Sequence, residues 1–363
     1  MNNNLSQIDL IDNYYNKIGS TWLSDSFALF LLTPVGALSI LLNLLNFIAF
    51  MKMNHNNNNN HQQSNLNRYF RVYTFICLLG CFIAMFYLST SAHYLKYRYS
   101  YFVSLYRCVI SQYLTTIIFY AHVLECIIMV ERLSFFKQTF KVFAKIDPYK
   151  LCLIAFIICN LINLPYMFYY TIRSEQEHIE AINDFNLTYK EFTYCRRNPT
   201  FQTSYGKTIL IIIVIVRDIL TLILEFAISF ASIIYFKKYL NERRHLFCLN
   251  ITNNSDSNHV SLRYIIDITE YSLYRTENFS ANLTKMTIYL SSCSAILHLS
   301  IAACYVIVVY IFNNSSLISN YFSLGCVLVG YVKYISNFYF FYKFFRNYRQ
   351  FLKNLINFMK LDF

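Results

Sequence analysis

Charge is scarce in this sequence. Asp, Glu, Lys and Arg make up 14% of 363 residues, against about 25% in soluble globular proteins. So few charges cannot wet the surface of a soluble fold this long, which excludes the usual cytosolic enzymes. Glycine (6 residues) and proline (4 residues) are also rare, so collagen-like, Pro-rich and loop-dominated architectures fall as well. There are no paired CxxC or HExxH spacings, so no metal or zinc-hydrolase site is expected. No catalytic set and no cofactor are read, and an enzyme is not expected. What remains is apolar: 56% of residues are hydrophobic and 19% aromatic. The formal charge of +12 would suit nucleic acid or a membrane, and the apolar excess decides for the lipid bilayer.

A transmembrane helix needs about 20 mostly apolar residues. Seven stretches meet that length: 27–51, 69–92, 107–130, 151–171, 207–235, 286–312 and 321–342. The expected fold is therefore an all-α membrane protein, a seven-transmembrane-helix bundle at 27–342. A segment at 1–26 precedes it, and a tail with a short amphipathic helix follows at 343–363. The polar, acidic start (MNNNLSQIDLIDNYY) lacks the basic and apolar regions of a cleaved signal peptide. Sorting basic residues by loop sets the orientation. With the amino terminus outside, 19 face the cytoplasm and 7 face out. The opposite orientation reverses that bias. Asn4, Asn186, Asn313 and Asn314 then lie in outer glycosylation sequons, although Asn250, Asn253, Asn278 and Asn282 match the same pattern inside.

Under this topology most cysteines fall within spans. Cys108, at the outer end of the third, and Cys195, in the loop before the fifth, both face the oxidising side. They read as a disulfide pinning that loop across the bundle mouth, or as two unpaired thiols. Glu131-Arg132-Leu133 follows Cys108 by 24 residues at Arg132, roughly 36 Å along a helix, and marks the inner face.

Here the sequence resembles the rhodopsin-like G-protein-coupled receptors, in a divergent invertebrate form. That family combines a disulfide-forming Cys atop the third helix with an acid–Arg–aromatic triplet at its base. Asn337-Phe338-Tyr339-Phe340-Phe341-Tyr342 resembles its Asn-Pro-x-x-Tyr motif, and the basic–aromatic run Lys343–Leu352 resembles its membrane-parallel helix. The resemblance implies coupling to a heterotrimeric G protein through Glu131 and Arg132. It also implies a polar activation network drawn from Glu125, Asn337, Phe341, Tyr342, Asn43, Asn46 and Tyr305. The departures are an absent second-span acid, Trp22 as the sole tryptophan, Leu133 in place of the aromatic, and no proline in spans five to seven. The last removes the usual source of kinks.

Ionisable residues inside spans are functional candidates by default. Arg217, Asp218, Tyr331 and Thr115 are candidate ligand contacts, although Arg217 and Asp218 can equally neutralise each other. Lys333 invites comparison with the retinal lysine of opsins, but the matching position is Tyr331; a buried partner such as Glu125 is the alternative. His298 reads as a hydrogen-bonded core residue. With no acid between Cys108 and Glu125, a monoamine ligand is disfavoured, and the offset of Lys333 from the retinal position disfavours retinal. The mixed charge of the long outer loop favours an extracellular peptide. The expected protein is a plasma-membrane receptor signalling to a G protein; a seven-helix ligand-gated chemoreceptor channel and a transporter are the alternatives. No nucleic acid is expected as a partner.

Overall fold

The computed structural model describes residues 28–53, 61–91, 102, 105–136, 145–175, 192–253, 282–300 and 317–361. These are almost entirely helical. A π turn (Ala28–Leu32) leads into α1 (Thr33–Met53), followed by α2 (His61–Ser91). A second π turn (Tyr106–Ile110) precedes α3 (Ser111–Phe136), and α4 spans Pro148–Met167. An antiparallel hairpin of β1 (Tyr170–Glu175) and β2 (Phe192–Arg197) follows. Next come a tight 3₁₀ turn (Pro199–Gln202), α5 (Ser204–Val214), a π turn (Ile215–Leu220) and α6 (Thr221–Asn253). The remaining helices are α7 (282–300), α8 (Leu317–Phe344) and α9 (Arg346–Leu361).

Among the described residues, four helical stretches are long and apolar enough to cross a membrane: Phe30–Met53, Asn65–Met85, Cys108–Ser134 and Pro148–Met167. Their packing is the inverse of a soluble helix. On α4 the buried residues are Pro148, Cys152, Ala155, Cys159 and Asn163, while Leu153, Ile154, Ile157, Ile158, Leu161 and Leu164 are exposed. On α1, Gly36, Ser39, Asn43, Asn46 and Ala49 face in, and Leu38, Leu41, Leu44 and Ile48 face out. Small and polar residues inside let helices approach closely, and large aliphatics outside suit lipid tails.

Helix ends follow local chemistry. Asp147 caps α4, accepting from the backbone N–H of Tyr149 and Lys150 at 3.0 and 3.2 Å, with Pro148 at the first helical position. The fourth predicted span was too long at its end: the helix stops at Met167, and Tyr170 begins β1. No strand was anticipated there. In the other direction, the fifth helical rod runs to Asn253 rather than Tyr235. The π turn at Ile215–Leu220 supplies a helix distortion where the sequence has no proline. The sixth predicted span is described only to residue 300, so its remainder lies outside the described residues.

Helices α1, α2 and α8 pack together, α3 lies against α2, α4 and α6, and α9 returns onto α1. The inner core is aromatic: Phe50, Phe70, Phe341, Phe345 and Tyr348 are fully buried and in mutual ring contact. Buried Phe345, Tyr348 and Leu352 fall at helical spacing and seat α9, whose Arg346, Arg349 and Lys353 stay exposed. Burial pushes the Tyr348 phenol upward in pKa, and its hydroxyl donates a hydrogen bond to Asn46 Oδ1 at 2.6 Å.

Gly206, in the first turn of α5, sits under the 3₁₀ turn. A Cβ there would meet the Thr200 carbonyl and lie 2.5 Å from Phe201 Cα. Both obstacles are backbone and cannot swing aside. Gly206→Ala is therefore expected to destabilise the hairpin-to-α5 junction by about 1–3 kcal/mol, the usual cost of overpacking, read as a lower thermal midpoint with the far-ultraviolet helix signal retained.

Candidate functional site

An ionisable side chain buried in an apolar bundle must find partners. Here seven such residues from four helical rods converge. His122 and Glu125, three residues apart, share a face of α3. Arg217 and Asp218 project from the π turn, Glu225 from α6, His298 from α7 and Lys333 from α8. The backbone carries them inward because the same faces bear small residues, such as Ser294 on α7 and Ser229 on α6, the latter bonded across to Ser291 at 2.8 Å.

The cluster divides into three charge units. Lys333 Nζ lies 3.3 Å from Glu125 Oε1, which also accepts the Tyr73 hydroxyl. Arg217 grips Asp218 through two parallel bonds of 2.8 and 2.7 Å, the strong bidentate geometry, and its guanidinium lies over the Tyr166 ring. The third carboxylate, Glu225, faces two imidazoles. Its Oε1 is 2.7 Å from His122 Nδ1, and its Oε2 is 3.8 Å from His298 Nδ1. The two rings stack with centroids 3.9 Å apart. His298 Nε2 reaches toward Asp218 at 3.9 Å, joining the second unit to the third. Lys333 Nζ stands 3.3 and 3.2 Å from the two nitrogens of His122, joining the first. Within the described residues, the ligand-type atoms of His122, Glu225 and His298 all lie within 4.8 Å of one another.

The sequence-predicted residues separate into groups. Glu125, Arg217 and Asp218 belong to this cluster. Asn337 extends it, donating to the Tyr73 hydroxyl at 3.1 Å. Asn43 bonds to the Ser39 and Tyr334 carbonyls on the α1–α8 seam, and Asn46 and Phe341 join the aromatic core. Tyr331 is buried against Leu32 and Gly36. Thr115 donates to its own helix at Gln112, and Tyr342 is exposed with its ring on Phe338. Neither Thr115 nor Tyr342 contacts the charged cluster. Tyr305, Asn4, Asn186, Asn313 and Asn314 lie outside the described residues.

At the far end of α3, Glu131 and Arg132 are both buried, and Glu131 Oε1 and Arg132 Nε have no hydrogen-bond partner. At the near end, buried Cys108 sits against β1, its Sγ 3.9 Å from the Thr171 carbonyl oxygen. Cys195 stands in register opposite Ile172, the next residue along β1.

Sequence reasoning missed His122, the most connected member. Its one available signal was the three-residue spacing to Glu125, which puts two ionisable groups on one face of an otherwise apolar span. Compared with known proteins, the chain matches no family model and no curated protein.

Proposed function

We propose that this chain is a divergent seven-helix receptor of the plasma membrane, resembling the rhodopsin-like family, with its amino terminus outside. It would pass the signal of an extracellular ligand, a peptide by preference, to a heterotrimeric G protein. The observation that carries the reading is the layout of α3, with Cys108 against a β-hairpin at one end and Arg132 buried at the other. Two further features support it. Cys195 lies on the strand paired with the one Cys108 touches, so a Cys108–Cys195 disulfide would pin the hairpin over the bundle. The basic, amphipathic α9 leaves α8 directly and packs on α1, as a membrane-parallel helix would. The ligand preference rests on the loop charges around the hairpin and on Lys333, which is engaged with Glu125 and His122 rather than held at a chromophore position.

In this mechanism ligand binding above the charged cluster repacks α3 against α6 and α7, and the cytoplasmic ends part to admit a G-protein tail beside Arg132. The Arg132 guanidinium is the group that would meet it, since its Nε is buried and without a hydrogen-bond partner. The deciding measurement is a peptide and metabolite screen read by G-protein dissociation in intact cells, with Arg132→Ala run beside the native chain. A ligand response that falls at least about tenfold in Arg132→Ala, at equal surface expression, supports the reading. An equal response removes Arg132 from coupling. An amino-terminal epitope hidden on intact cells overturns the orientation and favours the channel alternative.

A further inference from the structure

We infer that His122, Glu225 and His298 form a binding site for a divalent transition-metal ion, of which Zn²⁺ fits the donor set best, clamping α3, α6 and α7 together. The inference needs no receptor activity to be true.

Charge accounting comes first. Glu125 has Lys333 as its cation and Asp218 has Arg217. The ion pairs of Glu225 among the described residues are with His122 and His298 alone. A carboxylate with no exposed side-chain surface needs a positive charge beside it, and the two imidazoles supply one only by holding an extra proton or by sharing a metal ion. Geometry then favours the ion. Glu225 Oε2 and His298 Nδ1 are both buried, both lack a hydrogen-bond partner, and face each other at 3.8 Å. Two ligands of a tetrahedral Zn²⁺ with bonds of about 2.0–2.2 Å stand about 3.4 Å apart, so with a small closing of the gap one ion reaches both atoms. His122 Nδ1, already 2.7 Å from the same carboxylate, supplies the third ligand when the proton it shares with Glu225 leaves as the metal binds. Coordination asks the stacked rings, with centroids 3.9 Å apart, to splay.

The surroundings match those of a metal-ligating histidine, whose second nitrogen faces a carboxylate. His298 presents Nε2 to Asp218, which Arg217 holds bidentately. Lys333 does not occupy the site. Its Nζ is almost equidistant from the two His122 nitrogens, so it lies across the ring and off both in-plane lone pairs. Two imidazoles and one carboxylate select Zn²⁺ and its neighbours over Mg²⁺ or Ca²⁺, which take oxygen ligands. Three protein ligands leave a coordination position open.

The test uses the full chain in lipid nanodiscs, stripped with a chelator and then titrated with Zn²⁺ against a chelating dye, with bound metal counted by mass spectrometry. The expected result is about one Zn²⁺ per chain. His298→Asn keeps the ring's approximate size but loses the aimed lone pair. It and Glu225→Gln should each weaken binding by more than tenfold, since loss of a mere supporting partner already costs about 10–100-fold. His298→Cys restores a ligand, and on Co²⁺ loading should add a thiolate-to-metal absorption band that neither the native chain nor His298→Asn shows. Thermal midpoints of the metal-free proteins establish that each variant is folded. A folded native chain that takes up no Zn²⁺ overturns the proposal. So does uptake unchanged in both Glu225→Gln and His298→Asn, which would put the metal elsewhere.

Discussion

Lys333→Met is expected to destabilise the protein by about 3–5 kcal/mol, the cost of removing one partner from a buried ion pair. Lys333 is buried and lies 3.3 Å from Glu125, whose side chain is 1% exposed. Methionine fills nearly the same volume, so the loss reports charge and not a cavity. Two effects add. Glu125 keeps the Tyr73 hydroxyl but loses its cation, and its Oε2, already without a hydrogen-bond partner, stands 3.8 Å from His122 Nδ1 with no ammonium nearby. The cluster as a whole also shifts by one unit toward negative, in a medium where like charges repel more strongly than in water.

The chain carries its own reporter. Cys77 and Cys81 are free, buried thiols near this cluster, and Cys152 and Cys159 are free and buried on α4. A thiol-reactive dye that labels these cysteines as they become exposed therefore reads unfolding with no engineered reporter. Lys333→Met should lower the midpoint of that reaction by several degrees. Lys333→Met with Glu125→Gln should recover most of the loss, because the neutral amide leaves no uncompensated charge. If the double variant is as unstable as the single, Lys333 is holding something other than Glu125, and the three-unit division of charge is wrong.

How much of this was legible in the sequence depends on the range of each interaction. Helices long enough to span are a property of local composition, and Phe30–Met53 or Pro148–Met167 can be read directly. The α4 start carries a local signal in Asp147-Pro148, although the span predicted from hydropathy begins at 151. Arg217 and Asp218 were legible as a mutually neutralising pair because they are adjacent. Lys333 was readable as needing a buried acid, and Glu125 was the acid on an inward face.

The cluster itself was not legible, because its ligand-type residues come from separate helices, with His122, Glu225 and His298 far apart in the chain. No spacing rule links them, and a search for metal motifs of fixed spacing misses any site assembled from distant spans. The hairpin was hidden for another reason. Aromatic and β-branched residues in Tyr170–Ile172 continue the apolar run of the fourth span, and only the pairing of Tyr170 with Arg197 through Glu175 with Phe192 turns that run into a strand. The π turn at Ile215–Leu220 was likewise silent, since no proline or glycine marks it.

The second large effect concerns the aromatic cluster one to two turns away, where Phe70 precedes Tyr73 by three residues and Phe341 follows Asn337 by four. Phe50→Ala should cost about 3 kcal/mol, the lower end of the range for truncating a buried phenylalanine. The lower end applies because lipid tails are as apolar as the core, so little is gained by hiding the ring from water. What is lost is packing. Phe50 stacks on Phe70 at 5.2 Å and meets Phe341 and Phe345 edge-on at 4.9 and 5.7 Å, and aromatic pairs of this geometry each contribute about 0.5–1.5 kcal/mol beyond burial. No neighbour can collapse into the gap without breaking another contact, since Phe341 and Phe345 flank the junction of α8 and α9. Truncation at Phe50 thus loosens α9, and the Tyr348 bond to Asn46 should go with it. Protection of the α9 backbone in hydrogen exchange ought to drop more than that of α4, which lies away from the ring cluster. Leu44→Ala, on the outward face of the same helix, is the matched control and should cost less than about 1 kcal/mol, as surface substitutions do. Equal losses from the two would mean that α1 has no inner face at this depth, and that α9 is held by something other than the aromatic cluster.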